Sequence, residues 1–185
     1  MNSEAAMTTI PTGLIRKTQR GVTLVEAIVV VAVIAVITGA SLPSLASRLS
    51  QHQVAGVAND LISAARQARS EALSRRERVV VAPVTGRDWN SGWRVFVDAN
   101  NNGSLDAGET VLGQFAAPPA AVRITPYFGA TFAGQYLSFD EAGYPQRAGT
   151  EGLLLGRLAI SSEGHERALC VSAAVVRIKA TAICS

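Results

Sequence analysis

The hydrophobic positions of the chain form three successive patterns. The first is an apolar run from Val22 to Leu42 that contains one charged residue, Glu26. At about 1.5 Å per helical residue the run reaches about 31 Å, which matches a hydrocarbon core of about 30 Å. It predicts one membrane-crossing helix over residues 22–42. The sequence contains no second stretch of this length and hydropathy.

The second pattern has helical spacing. Apolar residues recur in steps of three and four at Val54, Ala58, Leu61, Ala65, Ala68 and Ala72. Such a stripe predicts an amphipathic helix over residues 43–78, either continuous with the first helix or kinked at Pro43. The small side chains of the stripe suit close packing against a sheet.

The third pattern is a series of short apolar segments separated by Gly, Asn, Asp and Pro. The segments span residues 78–84, 92–98, 110–115, 121–128, 136–140, 153–161, 167–172 and 175–184. Segments of this kind predict β-strands. Antiparallel sheets packed on the amphipathic helix give an α+β fold, in which a long hydrophobic N-terminal helix forms a stalk and residues 79–185 form a β head.

Basic residues before the apolar run predict its orientation. Arg16, Lys17 and Arg20 precede it, so the positive-inside rule predicts a cytoplasmic N-terminus and an exported head. The alternative is a cleaved secretory signal, since residues 44–46 resemble a small-x-small cleavage site.

Glu26 favours a helix that is retained. A charged carboxylate inside lipid costs about 2.5 to 3.5 kcal/mol, so it persists mainly where it has a partner or a function. If the chain were cut after Gly21, the new N-terminus at Val22 would carry an ammonium group. That group could pair with Glu26 of the same chain or of a neighbouring copy.

The sequence around this glutamate resembles the class III signal of type IV pilins and pseudopilins. The matching residues are Arg20 and Gly21 followed by VTLVEAIVVVAVIAVI. The resemblance implies a leader at residues 1–21, cleavage after Gly21 by a prepilin peptidase, and N-methylation of Val22. It also implies assembly roles for Glu26 and for the helix-kinking Pro43.

Two further stretches are similar to the GspH/FimT group of minor pilins and pseudopilins. They are ANDLISAARQARSEALSRRERV and WNSGWRVFVDANNNGSLDAGETVL. The resemblance implies a minor subunit of a type IV pilus or of a type II secretion pseudopilus, which initiates or tunes fibre assembly together with other pilin subunits. Before assembly it would cross the bacterial inner membrane once, with a periplasmic head.

The charge of the chain gives weak support for nucleic-acid binding. The formal net charge is +3, and much of it belongs to the predicted leader. Some FimT-like members bind DNA during uptake through a C-terminal Gly-Arg-x-Arg element. The corresponding stretch here, CVSAAVVRIKA, offers only Arg177 and Lys179. Arg123, Arg157 and Arg167 would add to a DNA-binding surface if the fold gathered them.

The segment DANNNGSLDAGE matches the spacing of a calcium-binding loop. Its candidate ligands are Asp98, Asn100, Asn102, Ser104, Asp106 and Glu109, with Gly103 at the sharp turn. The flanking segments predict strands instead of the helices of an EF-hand. The alternative is therefore a polar hairpin loop that needs no cofactor. Trp89 and Trp93, just before the loop, are expected in the core.

The two cysteines, Cys170 and Cys184, lie in the segment predicted to be exported. In an oxidising compartment they predict a disulfide bond, in preference to free thiols or a zinc site. His52 and His165 are expected at the surface. No serine or cysteine lies in a recognisable catalytic motif, so the sequence predicts that the protein is not an enzyme.

Overall fold

The computed structural model describes residues 21–128, 136–150, 152–172, 176–180 and 184. The leader residues before Gly21 lie outside this part of the chain, and so do the side chains of residues 38–46, including Pro43. The chain divides into two compact units, Met1–Leu42 and Pro43–Ser185.

The one helix in the described part of the chain, α1, spans Leu24–Arg75 and includes Pro43. It begins after Thr23, whose Oγ1 accepts a hydrogen bond of 3.2 Å from the backbone N–H of Glu26. It ends before the predicted residue 78, because Arg76 adopts a left-handed conformation with φ of 55°. The Arg76 N–H still donates to the carbonyl of Ala72 at 2.9 Å, which closes the last turn.

The N-terminal part of α1 is apolar and exposed. Exposure is 72% at Val22, 77% at Leu24 and 61% at Ile37. The predicted span over 22–42 continues into residues whose side chains are not described. Among the described residues, no helix combines the length and the hydropathy needed to cross a membrane. The exposed side chains of residues 22 to 37 form an apolar surface.

Eight strands follow the helix among the described residues, and each overlaps one of the eight predicted segments. They are β1 (Val79–Thr85), β2 (Asp88–Val97), β3 (Val111–Phe115), β4 (Arg123–Phe128), β5 (Leu137–Phe139), β6 (Gly156–Ser162), β7 (His165–Val171) and β8 (Val176–Lys179). They form two four-stranded antiparallel sheets with the orders β3-β2-β1-β5 and β4-β6-β7-β8. The predicted α+β architecture is confirmed.

The main core joins the second part of α1 to both sheets. The predicted helical stripe is buried, and Ala58, Leu61 and Ala68 have no exposed surface. It shares one hydrophobic cluster with residues of both sheets, among them Val81, Trp93, Leu158 and Leu169. Trp93 stacks on Phe115 with ring centroids 5.6 Å apart, so the predicted core role of the tryptophans is confirmed.

One edge of the second sheet is closed by a side chain from the first sheet. The side-chain carbonyl of Asn90, in β2, accepts the Ile124 N–H at 2.8 Å, and its amide donates to the Ile124 carbonyl at 3.2 Å. Asn90 thus occupies the place of a neighbouring strand beside β4. Pro126 in the same strand has no N–H to offer a partner. Together they block strand addition at this edge.

Asn90→Ala should therefore destabilise the fold by about 2 kcal/mol, since it leaves the N–H and carbonyl of Ile124 without these partners. Urea unfolding followed by circular dichroism measures the change. The control is Asn59→Ala at an exposed position of α1, which should alter stability by less than about 0.5 kcal/mol. Equal stability of the two variants would contradict this role of Asn90.

Candidate functional site

The predicted cleavage site lies in an open segment just before α1. Gly21, Val22 and Thr23 are exposed and precede the helix. No atom lies within 4 Å of a methyl group placed on Gly21, chain neighbours aside. The peptide bond after Gly21 is therefore sterically accessible in the described chain.

Glu26 lies in the first turn of α1, exposed, one turn after this segment. Thr23 and Glu26 have the spacing of a capping box, in which an acidic side chain at this position suits the positive end of the helix. Among the described residues, no cation lies within ion-pair distance of its carboxylate. In the described chain Glu26 thus lies at a capped helix N-terminus and has no counter-ion.

The candidate calcium loop connects β2 to β3, so strands flank it as expected. Asp98 is 2% exposed. Its two carboxylate oxygens accept the N–H groups of Asn102 at 3.0 Å and of Gly103 at 2.9 Å. The Asn102 side-chain carbonyl accepts the Ser104 N–H at 2.7 Å. The loop is thus built from hydrogen bonds between side chains and its own backbone.

The remaining candidate ligands are also bonded within the loop. The Asp106 carboxylate accepts the side-chain amides of Asn100 at 2.7 Å and of Asn102 at 2.6 Å. The Glu109 carboxylate accepts the N–H groups of Ala99 and Asp106. The described residues contain no group of three or more His, Cys, Asp and Glu arranged to hold a metal ion. This geometry favours the hairpin alternative.

The two aspartates of the loop have opposite pKa shifts. Burial raises the pKa of Asp98 above its usual 3.8, against hydrogen bonds from Gly103 and Asn102 that lower it. Hydrogen bonds from Asn100 and Asn102 lower the pKa of Asp106. Because the folded state holds the Asp98 proton more tightly, Asp98 contributes stability at low pH that is lost as the pH rises above 3.8.

The register of the second sheet gathers most of the candidate DNA-binding cations. Tyr127, Arg157, Cys170 and Arg177 are paired in one row across all four strands. Two further pairs, Arg123 with Ser161 and Lys179 with Ala168, lie on the same face because side chains alternate along each strand. We call Arg123, Arg157, Arg177 and Lys179 the basic face.

Arg167 does not belong to the basic face. It pairs with Ile160, whose buried side chain is part of the main core. Arg167 therefore lies on the opposite side of the sheet from Arg157, and the structure separates it from the other candidate cations.

The predicted disulfide between Cys170 and Cys184 is confirmed, with Cα atoms 5.7 Å apart. Cys170 lies in the row between Arg157 and Arg177, so the disulfide attaches Cys184 to the basic face. Closing a loop of this length contributes about 3 kcal/mol in the chain-entropy description.

Two contacts between α1 and the turn that joins β6 to β7 could not be predicted from the sequence. Ser50 Oγ donates to Glu163 Oε2 at 2.7 Å, and Ser47 Oγ lies 3.0 Å from His165 Nε2. These residues are more than a hundred positions apart in the sequence, and no local pattern signals such a pairing. His165 thus helps to hold the turn against the helix.

Comparison with known proteins gives consistent results. The family model described as type II transport protein GspH matches residues 57–174, and the prokaryotic N-terminal methylation motif matches residues 16–42. The pilin-like protein PilA1 of Thermus thermophilus is 33% identical over 161 residues, which cover 81% of this chain and 98% of that protein.

Two crystal structures of the type IV minor pilin FimU from Pseudomonas aeruginosa are similar to this chain. One has a TM-score of 0.48 and 20% identity and covers 73% of this chain and 92% of FimU. The other has a TM-score of 0.46 and 21% identity and covers 67% and 90%. Since the GspH model matches more than half of the sequence and PilA1 matches along nearly its whole length, the chain belongs to the GspH family of pilin-like proteins.

Proposed function

We propose that this chain is a minor pilin or pseudopilin subunit that is cut after Gly21 and joins a type IV pilus or a type II secretion pseudopilus through its N-terminal helix. The observation that carries the proposal is the exposed apolar surface of residues 22 to 37 with a carboxylate, Glu26, in its first turn. An apolar surface of this size needs lipid or neighbouring helices to cover it. Membership of the GspH family supports neighbouring helices as the partners that cover this surface in the mature protein.

Glu26 and the new N-terminus would act as a pair. Cleavage by a prepilin peptidase converts the backbone nitrogen of Val22 into an ammonium group, which is then methylated. In a bundle of apolar helices this cation and the Glu26 carboxylate of a neighbouring subunit each lack water, so each requires the other. The pair would fix how far one helix is shifted along the next.

The proposal includes a location and a structural role. Before assembly the chain would cross the bacterial inner membrane once through residues 22–42, with a cytoplasmic N-terminus and a periplasmic head. The kink expected at Pro43 would separate this span from the rest of α1. The subunit would neither catalyse a reaction nor require a cofactor, and its partners would be other pilin subunits.

Gly21→Ala tests the cleavage step. We expect the leader to remain attached, because the predicted cleavage signal has glycine before the scissile bond and a methyl group there would crowd a peptidase site fitted to glycine. The intact mass of the membrane-bound protein would then include residues 1–21. Gly56→Ala, at an exposed position of α1 with no atom within 4 Å of the new methyl group, is the control and should be processed. Normal processing of Gly21→Ala would contradict the proposal.

A second candidate function is DNA binding by the head. The basic face supports it, because the sheet brings four cations together that the sequence disperses over residues 123–179. Cations on one face attract phosphates in a sequence-independent and salt-sensitive way.

A salt titration of the processed chain against duplex DNA separates the two functions. Binding through the basic face should weaken as salt rises, by about 0.9 logarithmic units per tenfold salt for each phosphate contacted. Arg177→Ala should reduce that slope, whereas Arg66→Ala on the exposed face of α1 should not. Absence of binding at low salt would remove DNA binding and leave the assembly function untouched.

A further inference from the structure

We propose that the head contains a binding cleft for a carboxylate attached to an apolar group. The cleft has a volume of about 340 Å³ and lies where Tyr127, Leu155, Gly156, Arg157, Val171 and Cys184 meet. It lies at the Arg157 end of the basic face. The inference rests neither on fibre assembly nor on DNA binding, and it shares one residue, Arg157, with the candidate DNA-binding surface.

The walls of the cleft are polar and apolar in equal parts. Tyr127 is 50% exposed and Leu155 is 51% exposed, which leaves an aromatic ring and an aliphatic side chain at the surface. The cleft therefore offers contact area to an apolar group of modest size.

The polar element of the cleft is the Arg157 guanidinium. Its central carbon lies over the Tyr127 ring, 4.5 Å from the ring centre, and this cation–π contact favours the observed position of the side chain. Its Nε is buried and has no hydrogen-bond acceptor in the described part of the chain. No carboxylate among the described residues lies within ion-pair distance of it.

Arg157 packs on an aromatic ring and has no acidic partner among the described residues. Its surroundings are partly shielded from water. Such a cation gains more from an anion than an exposed one does. The planar fork of a guanidinium matches the two oxygens of a carboxylate, and the bond between the two charged groups is stronger than a neutral hydrogen bond. The geometry favours a carboxylate as the charged group.

The lining favours a single anionic group in this cleft. Among the described residues that line it, Arg157 is the one that carries a charge. Arg177 lies in the same row, two strands away, or about 10 Å at the usual strand spacing. A single anionic group with an apolar neighbour fits this arrangement. It could come from a free organic acid or from the C-terminal residue of a polypeptide.

The test uses two probes that differ only in charge, N-acetylleucine and N-acetylleucinamide, added to the full chain in detergent. Nuclear magnetic resonance follows the Nε–H signal of Arg157 during each titration. We expect saturable binding of the acid with a shift of that signal, and binding of the amide at least about tenfold weaker. That ratio is the contribution expected for one charge-assisted contact.

Variants locate the site. Arg157→Gln, which keeps the stem of the side chain, should weaken binding of the acid at least about tenfold. Arg157→Lys keeps the charge without the fork and should give an intermediate affinity. Arg66→Gln, on the exposed face of α1 and outside the cleft, is the control and should bind normally. Unchanged thermal unfolding of the variants shows that they are folded.

Two further probes distinguish the sources of the ligand. A hexapeptide ending in leucine should bind more tightly than 4-methylpentanoate if the natural ligand is a polypeptide terminus, and no more tightly if it is a free acid. Either order supports the cleft. Equal binding of acid and amide, full affinity in Arg157→Gln, or no binding of any probe overturns it.

Discussion

Glu26→Gln should leave cleavage of the leader intact and remove the chain from assembled fibres. In the described chain Glu26 lies at a helix N-terminus with no cation beside it. The loss of its charge should therefore cost the helix no more than about 1 kcal/mol and leave access to Gly21 unchanged. In the fibre, however, the variant would leave the ammonium of a neighbouring subunit buried without a counter-ion. Removing one partner of a buried pair costs about 3 to 5 kcal/mol, which lowers incorporation by a factor of about a hundred or more.

The measurement is the amount of the chain in sheared fibres relative to the amount in the membrane, with intact mass to confirm processing. Asp60→Asn, at an exposed position in the second part of α1, removes one negative charge from the same helix and serves as the control. It should assemble like the wild type. Wild-type levels of Glu26→Gln in the fibre would refute the pairing of charges.

Gly103→Ala should be strongly destabilising. Gly103 has a φ of +77°, a conformation that costs an alanine about 1 to 2 kcal/mol. In addition, the new methyl group would lie 2.3 Å from the Tyr136 ring. Tyr136 is 6% exposed and packs with Val80 and Phe96 in a second small core beneath the loop. Overpacking of such a site adds about 1 to 3 kcal/mol, so we expect a loss of roughly 3 kcal/mol or more.

Gly108→Ala, in the same loop, separates the two contributions. Gly108 also has a positive φ, +94°, but no atom lies within 4 Å of the added methyl group. It should lose only the backbone contribution of about 1 to 2 kcal/mol. Urea unfolding of the two variants measures the difference, and equal losses would show that the contact with Tyr136 is unimportant.

The elements of the fold were predictable because their signals are local. The helical stripe became one side of the main core, and turn residues separate the strands as expected. Polar and apolar positions do not alternate in the segment VVVAPV, because both faces of β1 are buried. Val79 and Val81 belong to the main core, and Val80 belongs to the small core around Tyr136.

The missed features depend on contacts between residues far apart in the sequence. The exchange of hydrogen bonds between Asn90 and Ile124 joins two sheets, and the stacking of Arg157 on Tyr127 depends on the register of β4 against β6. Neither register nor edge position can be read from hydrophobic periodicity. The end of α1 at Arg75 was also missed, because a left-handed arginine gives no sequence signal of the kind that glycine gives.

The loop over residues 98–109 shows a different limit. Oxygen-bearing side chains at alternate positions and a glycine at the turn suit both a calcium site and a self-bonded hairpin, so the pattern alone leaves both alternatives open. In the structure the side-chain amide of Asn102 donates to the Asp106 carboxylate, and the backbone N–H of Asn102 donates to the Asp98 carboxylate. These hydrogen bonds favour the hairpin.

If the chain becomes a fibre subunit, its new N-terminus lies one helical turn before Glu26. Intact-mass analysis of the chain recovered from fibres measures where that N-terminus is. We expect a protein that begins at Val22 and carries one additional methyl group on its terminal nitrogen. A first residue of Met1, or one near Ala46, would contradict it.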